Sequence, residues 1–375
     1  MAKTAVDSFS PKNIALFALL TVGYFLSARL GVRLAFVQPY STPIWLPAGG
    51  AIVAFLIFGY RVWPAVFLGS LLGHLTTIGF VSVSFLVPIG ATIEGLAGAY
   101  LVNRFAHGVR AFDNAKDVLL FVLFSCVCAP SLNAIAGFGA TYFSGRADLM
   151  GSAFLVFTWW LAHGIGILLV APFLILVFRA SHHRMNFAEI TELSALLLGL
   201  FFVCLLVFGP LAPTLNKSGV MRAWLCVPFL LWAAYRFCPL EAAGTTLVLF
   251  GSAIWGTVHG IGTFASPDRT RSLVLLDTFV GVIGTTTLVV AALVAERRRY
   301  ETELLGMHSL LRASISGKER ELQEVAQALE MEIAGHSQTK RSLRDSHDRL
   351  QLLTETISLK EDSQEVQTRR EEQEQ

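Results

Sequence analysis

Charge is scarce in this sequence. Asp, Glu, Lys and Arg make up 15% of its 375 residues and hydrophobic residues 54%, with a mean hydropathy of +0.59. A soluble domain carries about 25% charged residues, so an ordinary soluble fold is excluded. The charge that is present is unevenly placed. Residues 1–295 hold 16 Lys+Arg and 10 Asp+Glu, whereas residues 296–375 hold 13 and 17. A net charge of +2 gives no sign of a nucleic-acid partner. Cysteine is sparse too. Cys126, Cys128, Cys204, Cys226 and Cys238 all lie in apolar runs and read as core thiols. Cys126-x-Cys128 lacks the CxxC spacing and has no partner pair, so no metal site is expected. No cleavable signal peptide is expected. The apolar run Ile14–Phe36 is too long for a signal core and has no small-residue cleavage site, so it reads as a first span.

What is there is apolar sequence in helix-length pieces. A bilayer core about 30 Å thick needs about 20 such residues. The candidates are 13–36, 44–60, 63–80, 83–104, 117–143, 152–178, 190–211, 222–236, 241–259 and 272–295. The expected fold is therefore all-α, a polytopic transmembrane helical bundle of eight to ten spans, with ten the best count. It falls below ten if 44–60 with 63–80, or 222–236 with 241–259, are re-entrant halves. The membrane domain is expected over 1–295, a cytoplasmic coiled-coil helix over 296–357 and a disordered tail over 358–375. With the N-terminus inside, inside loops carry Lys3, Lys12, Arg61, Arg104, Arg110, Lys116, Arg179, Arg184, Arg236, Arg297, Arg298 and Arg299. Outside loops carry only Arg146, Lys217, Arg222, Arg269 and Arg271. That bias expects both termini in the cytoplasm.

The stretch IWLPAGGAIVAFLIFGYRVWPAVFLGSLLGHL, residues 44–75, is punctuated by proline and glycine. Trp45 and Trp63 lie 18 residues apart, about 27 Å at helical rise, and read as anchors at opposite interfaces. Pro47 and Pro64 suit first turns, where a missing N–H costs little. Gly69-x-x-x-Gly73 is a small-xxx-small pair for close helix approach. The reading is a tight helical hairpin.

After Glu296-Arg-Arg-Arg the pattern becomes a heptad. Positions 308, 315, 322, 329, 336, 343, 350 and 357 are His, Ile, Leu, Leu, His, Leu, Leu and Ile, beside a half-polar row that includes Lys318, Glu332, Thr339 and Ser346. This predicts a parallel homodimer through 304–357, of limited stability. From Ser358 onward few apolar residues remain, which predicts disorder.

Several signatures together resemble one bacterial family, the first type of membrane-associated sensor domain (the MASE family). They are Trp45-Leu-Pro47-Ala-Gly49-Gly, Gly59-Tyr-Arg-Val-Trp63-Pro64, Phe67-Leu-Gly69, Glu94-Gly95 and Gly137 to Gly139. Further on come Trp159-Trp160-x-x-His163-Gly164-x-Gly166-Ile167, Ala171-Pro172, Trp232-Ala-Ala-Tyr-Arg236-Phe, His259-Gly-Ile-Gly-Thr-Phe264 and Glu296-Arg-Arg-Arg. The order holds over residues 12–300. The family usually has Asp where this chain has His163, and is described with eight spans. The resemblance implies a sensory input domain of the bacterial inner membrane, without cofactor or catalytic residues. Such domains precede histidine kinases, diguanylate cyclases and PAS modules. No GGDEF, EAL or ATP-binding glycine box follows here, so a separate signalling partner or a truncated sensor is expected. His347-Asp348-Arg349-Leu350-Gln351 resembles a phosphoacceptor box only distantly.

Ionisable groups inside spans are costly and mark candidate sites. Here they are Arg29, Arg33, His74, Glu94, His163, His259 and Asp277, with Trp45, Trp159 and Trp160 beside them as aromatic candidates. Arg29 and Arg33 could equally snorkel. Glu94 needs a partner or a proton, and Arg29, Arg33 and His163 are its possible partners. His163 reads either as a packed, hydrogen-bonded histidine or as a ligand contact. The function expected is detection of a small ligand or a partner, relayed through the coil. A small-molecule transporter is the alternative, and an intramembrane enzyme is the weakest reading because no motif joins a nucleophile to a base.

Overall fold

A computed structural model describes residues 11–35, 42–78, 83–143, 149–180, 185–211 and 222–373. Each of the ten apolar segments is helical within it. The helices are α1 (Pro11–Arg33), α2 (Leu46–Phe58), α3 (Trp63–Ile78), α4 (Val83–Phe105) and α5 (Ala115–Phe121). From α5 a π-helical segment, Val122–Cys128, leads directly into α6 (Ala129–Phe143). Then come α7 (Leu149–Arg179), α8 (Phe187–Val207), α9 (Val227–Arg236), α10 (Pro239–Val258) and α11 (Arg269–Gln373). No strand occurs among the described residues.

Among the described residues, six helices are long and apolar enough to cross a membrane: α1, α4, α5 with α6, α7, α8 and the start of α11. Helices α2, with 13 residues, and α9, with 10, are the short members. They rise only about 20 and 15 Å, less than the hydrocarbon thickness. Large apolar side chains face outward: Leu19 is 69% exposed, Ile135 67% and Leu198 69%. In water such a surface would aggregate; in lipid it is matched to its solvent. This is a multi-pass membrane protein.

Local chemistry sets the helix ends. Proline stands in the first turn of α2, α9 and α10. Asn186 and Glu189 close a reciprocal capping box on α8, which satisfies two backbone donors that no helical carbonyl can reach. Gly59 ends α2 at φ +80°, a conformation in which a Cβ would clash.

The expected α2–α3 hairpin is corrected by the packing. The glycine faces of these two helices turn to different partners. A Cβ on Gly69 would stand 2.7 Å from Tyr24 Cβ and 2.8 Å from Thr21 O, and one on Gly73 would stand 3.2 Å from Ala28 Cβ. So α3 packs on α1. A Cβ on Gly49 would stand 2.6 Å from Gly166 O and 2.7 Å from Val170 Cβ, so α2 packs on α7. The main core then gathers α2, α5, α7, α8, α10 and α11 through Ile52, Phe121, Ile167, Leu200, Phe250 and Val280.

The chain divides into two units, Met1–Arg299 and Tyr300–Gln375. In the second the described residues are helix to Gln373, with Leu322, Leu329, Leu343, Leu350 and Ile357 all more than half exposed. Residues 358–373 are thus helical where the sequence predicts disorder. The segment has little apolar surface to bury, but it is free of Gly and Pro and rich in Glu, Gln, Lys and Arg, which favour helix.

Candidate functional site

Helices α1, α3, α4, α6 and α7, with the segment that precedes α2, enclose a cavity. It holds about 700 Å³ of empty space counting its open part, of which about 50 Å³ is wide enough for the centre of a water molecule. That is room for about three or four waters, or for one small molecule. Ala28 and Val32 of α1, Gly73 of α3, Val87 and Ala91 of α4 and Ala162 of α7 form small apolar walls. Two indoles, Trp45 and Trp159, and the side chains of His74, His163, Asn133, Thr42 and Thr77 complete the lining. Among the described residues, no Lys, Arg, Asp or Glu lines it.

At the back of the cavity stands a buried pair. The Nδ1–H of His163, on α7, donates to Glu94 of α4, at 2.8 Å from Oε2 and 3.0 Å from Oε1. Glu94 is 2% exposed and His163 8%. Of the possible partners for Glu94, the structure therefore selects His163. Asn133 Nδ2 donates to His163 Nε2 over a long 3.5 Å. This orientation leaves Asn133 Oδ1 buried without a hydrogen-bond partner, against Gly90, where a Cβ would come within 2.4 Å of it. His74 Nδ1–H donates to Ser70 O at 2.8 Å, one turn back on α3.

The two most distinctive sequence motifs meet here, for steric reasons. Trp45 stacks on the His163 ring with centroids 5.8 Å apart and planes 19° from parallel. Its backbone N–H donates to Ala162 O at 2.9 Å. A Cβ on Gly166 would fall 2.1 Å from Trp45 O, so only glycine lets the Trp45 backbone lie on α7. Gly31 offers α1 to the same indole, with a built Cβ 3.1 Å from its ring. Trp45 is therefore a wall of the cavity, which corrects its reading as an interfacial anchor. Trp63, at 49% exposed, keeps an outward position.

Helix α7 also grips the π segment. Trp160 Nε1 donates to Val127 O at 2.9 Å, and Gly164 leaves space for Cys126 O, which a Cβ would approach to 2.5 Å. A π turn shifts carbonyls out of the i to i−4 ladder, and the indole takes one of them. Trp159 lies against Gly137 of α6, where a Cβ would be 2.2 Å from the ring.

The other sequence candidates fall elsewhere. Arg29 ties α1 to the end of α3 by bonds to Thr76 O at 3.3 Å and Thr77 Oγ1 at 3.2 Å. Arg33 is exposed. His259, also exposed, donates to Trp255 O at 2.8 Å at the end of α10. Asp277 is 1% exposed on α11, and neither carboxyl oxygen finds a partner among the described residues. Sequence reasoning missed Asn133, although an amide deep in the apolar run 117–143 is itself a signal of interhelical hydrogen bonding.

Comparison with known proteins identifies the family. The MASE1 family model matches residues 16–298. A probable diguanylate cyclase, DgcE, of Escherichia coli (strain K12) is 30% identical over 210 residues, which cover 53% of this chain and 17% of that protein. This chain thus matches about a sixth of the relative's length. No solved structure matches. The docked motifs Trp45–Gly49 and Trp159–Gly166 lie inside the matched region, and the chain belongs to the MASE1 family.

Proposed function

We propose that this chain is the input half of a membrane signalling system: it binds a small uncharged molecule in the Trp45–Trp159 cavity and relays occupancy through α11 to a separate output. MASE1 domains are membrane sensor inputs, and the similarity to a probable diguanylate cyclase supports a signalling output of the diguanylate cyclase, histidine kinase or PAS type. An uncharged ligand fits because, among the described residues, no Lys, Arg, Asp or Glu lines the cavity and its two histidines are already engaged, His163 with Glu94 and His74 with Ser70 O, and an unpaired buried charge is costly. Binding without chemistry fits the lining as well. Among the described residues, neither Ser nor Cys lines the cavity beside His163. The Thr42 and Thr77 hydroxyls donate to Ile44 O and Gly73 O at 3.1 and 2.8 Å.

One observation carries the relay. Gly281 and Gly284 of α11 pack on Ile165 and Leu168 of α7, with built Cβ atoms 3.7 and 3.4 Å from those side chains. His163 lies on the same stretch of α7. A ligand that favours one arrangement of α7 thereby biases α11, by no more than its differential affinity for the two states. The reading includes a bacterial inner-membrane location with both ends in the cytoplasm and a parallel dimer through 304–357. The test joins the chain to a diguanylate cyclase reporter and inserts residues after Arg299. Four inserted residues should change the output and seven should restore it, because seven returns the heptad phase. Output that ignores insertion length would overturn the relay.

A further inference from the structure

The last turn of α11 before the coil, Glu296 to Arg299, does not stand free of the membrane domain. Arg298 donates to the carbonyls at the end of α9: its NH1 and NH2 each lie 3.2 Å from Arg236 O, and NH2 also reaches Tyr235 O. These acceptors belong to the final turn of α9, whose carbonyls have no helical donor. A guanidinium there is favoured both by the hydrogen bonds and by the helix dipole. The end of α9 is itself fastened to α8, since Arg236 Nε and Trp232 Nε1 donate to Glu192 at 2.9 and 3.1 Å.

On another side, Glu296 Oε2 accepts from Ala115 N, the first backbone donor of α5, at 3.4 Å. Arg299 NH1 lies 3.9 Å from Asp113 Oδ2. Asp113 is already held by Arg179 of α7, 2.8 Å from Oδ1, and by Arg110, 3.2 Å from Oδ2. One carboxylate thus joins the end of α7, the loop before α5 and the base of α11.

We infer that this collar is a catch that sets the resting phase of α11, and that the cavity works on it through α5 and α6. The inference rests on the sensor reading above. Both ends of its route are built. At one end Asn133 of α6 touches His163, and Trp160 of α7 holds the π segment. That segment runs straight into α5, whose N-terminus meets Glu296 and Asp113 at the other end. A π segment is a place where a helix can change register by one hydrogen bond. A shift or turn of α5 at one end is a shift of the acceptor and donor pattern that α11 grips at the other. For α11 to rotate or slide, Arg298 must leave the α9 carbonyls and Arg299 must leave Asp113. Each contact is partly exposed and so individually weak, which suits a catch that is opened by a small ligand.

The experiment uses the same cyclase-reporter fusion, embedded in membranes. Arg298→Gln and Asp113→Asn should each move basal output by about two- to fivefold, the range that one exposed contact supports. Arg298→Lys, which keeps charge but loses the fork, should lie between wild type and Gln. The double variant Arg298→Gln/Asp113→Asn should move output in the same direction as either single. Membrane abundance and thermal unfolding are measured for each. Output equal to wild type in Arg298→Gln and Asp113→Asn, with normal abundance, overturns the catch. If phase-dependent insertions still change output in that case, the relay stands without it. If insertions have no effect either, the relay itself has failed. Should Asp113→Asn lower abundance, Arg299→Gln removes the same α11 contact while leaving the Arg110–Asp113–Arg179 cluster whole, and unchanged output there is equally fatal.

Discussion

Two adjacent glycines of α2 offer a sharp test of how the cavity is built. A Cβ on Gly49 would lie 2.6 Å from Gly166 O and 2.7 Å from Val170 Cβ, whereas one on Gly50 meets nothing within 4 Å. Both substitutions to Ala gain the same helix propensity, up to about 1 kcal/mol in water. Only Gly49→Ala adds a clash. The carbonyl of Gly166 is helix backbone and cannot swing aside, so α2 and α7 must part by about 0.8 Å to restore contact, and overpacking of this kind costs about 1–3 kcal/mol. The propensity term cancels between the two variants, leaving a difference of about 1–3 kcal/mol. At about 2–4 °C per kcal/mol the two melting temperatures should separate by several degrees, with Gly49→Ala lower. Gly166→Ala should be worse still, because its Cβ would fall 2.1 Å from Trp45 O and 2.6 Å from Trp45 C. It would displace the whole Trp45 backbone and with it the His163 stack. The assay is thermal unfolding in nanodiscs, followed by intrinsic fluorescence. Equal melting of Gly49→Ala and Gly50→Ala would refute the reasoning.

Two further outcomes are expected. Glu94→Ala leaves the His163 Nδ1–H buried without its acceptor and should cost about 1–3 kcal/mol, with Glu94→Gln, which keeps an acceptor oxygen, in between; identical unfolding of all three proteins would show that the pair is not held as described. For topology, a cysteine replacing Ser266, in the turn between α10 and α11, should react with an impermeant thiol reagent added to intact cells, and one replacing Ala180, just after α7, should not. The reverse pattern would invert the orientation that the Lys/Arg bias gives.

The sequence by itself determined the helical segments and the solvent they face. Hydrophobic runs of helix length are a local property, so all ten segments are helical, with α2 and α9 the short ones, as 44–60 and 222–236 suggested. Prolines at helix starts and the Asn186–Glu189 cap are equally local. The motifs Trp45–Gly49 and Trp159–Gly166 could also be singled out as unusual. What they do could not be read, because glycine advertises a close approach without naming the partner. Only the tertiary structure decided that Gly69 serves α1 and Gly49 serves α7, where the sequence suggested that α2 and α3 close on each other. It also chose His163 for Glu94 over two arginines, since α4 and α7 bring those groups within 3.0 Å while Arg29 is drawn to the end of α3. His259 and Asp277, alike in sequence as polar groups in apolar runs, parted company for the same reason: one ended at an exposed helix terminus and the other in the core. Depth in a span can be counted along the chain, but which neighbour lies beside a residue at that depth depends on helix rotation and packing, and those are set by contacts between residues far apart in sequence.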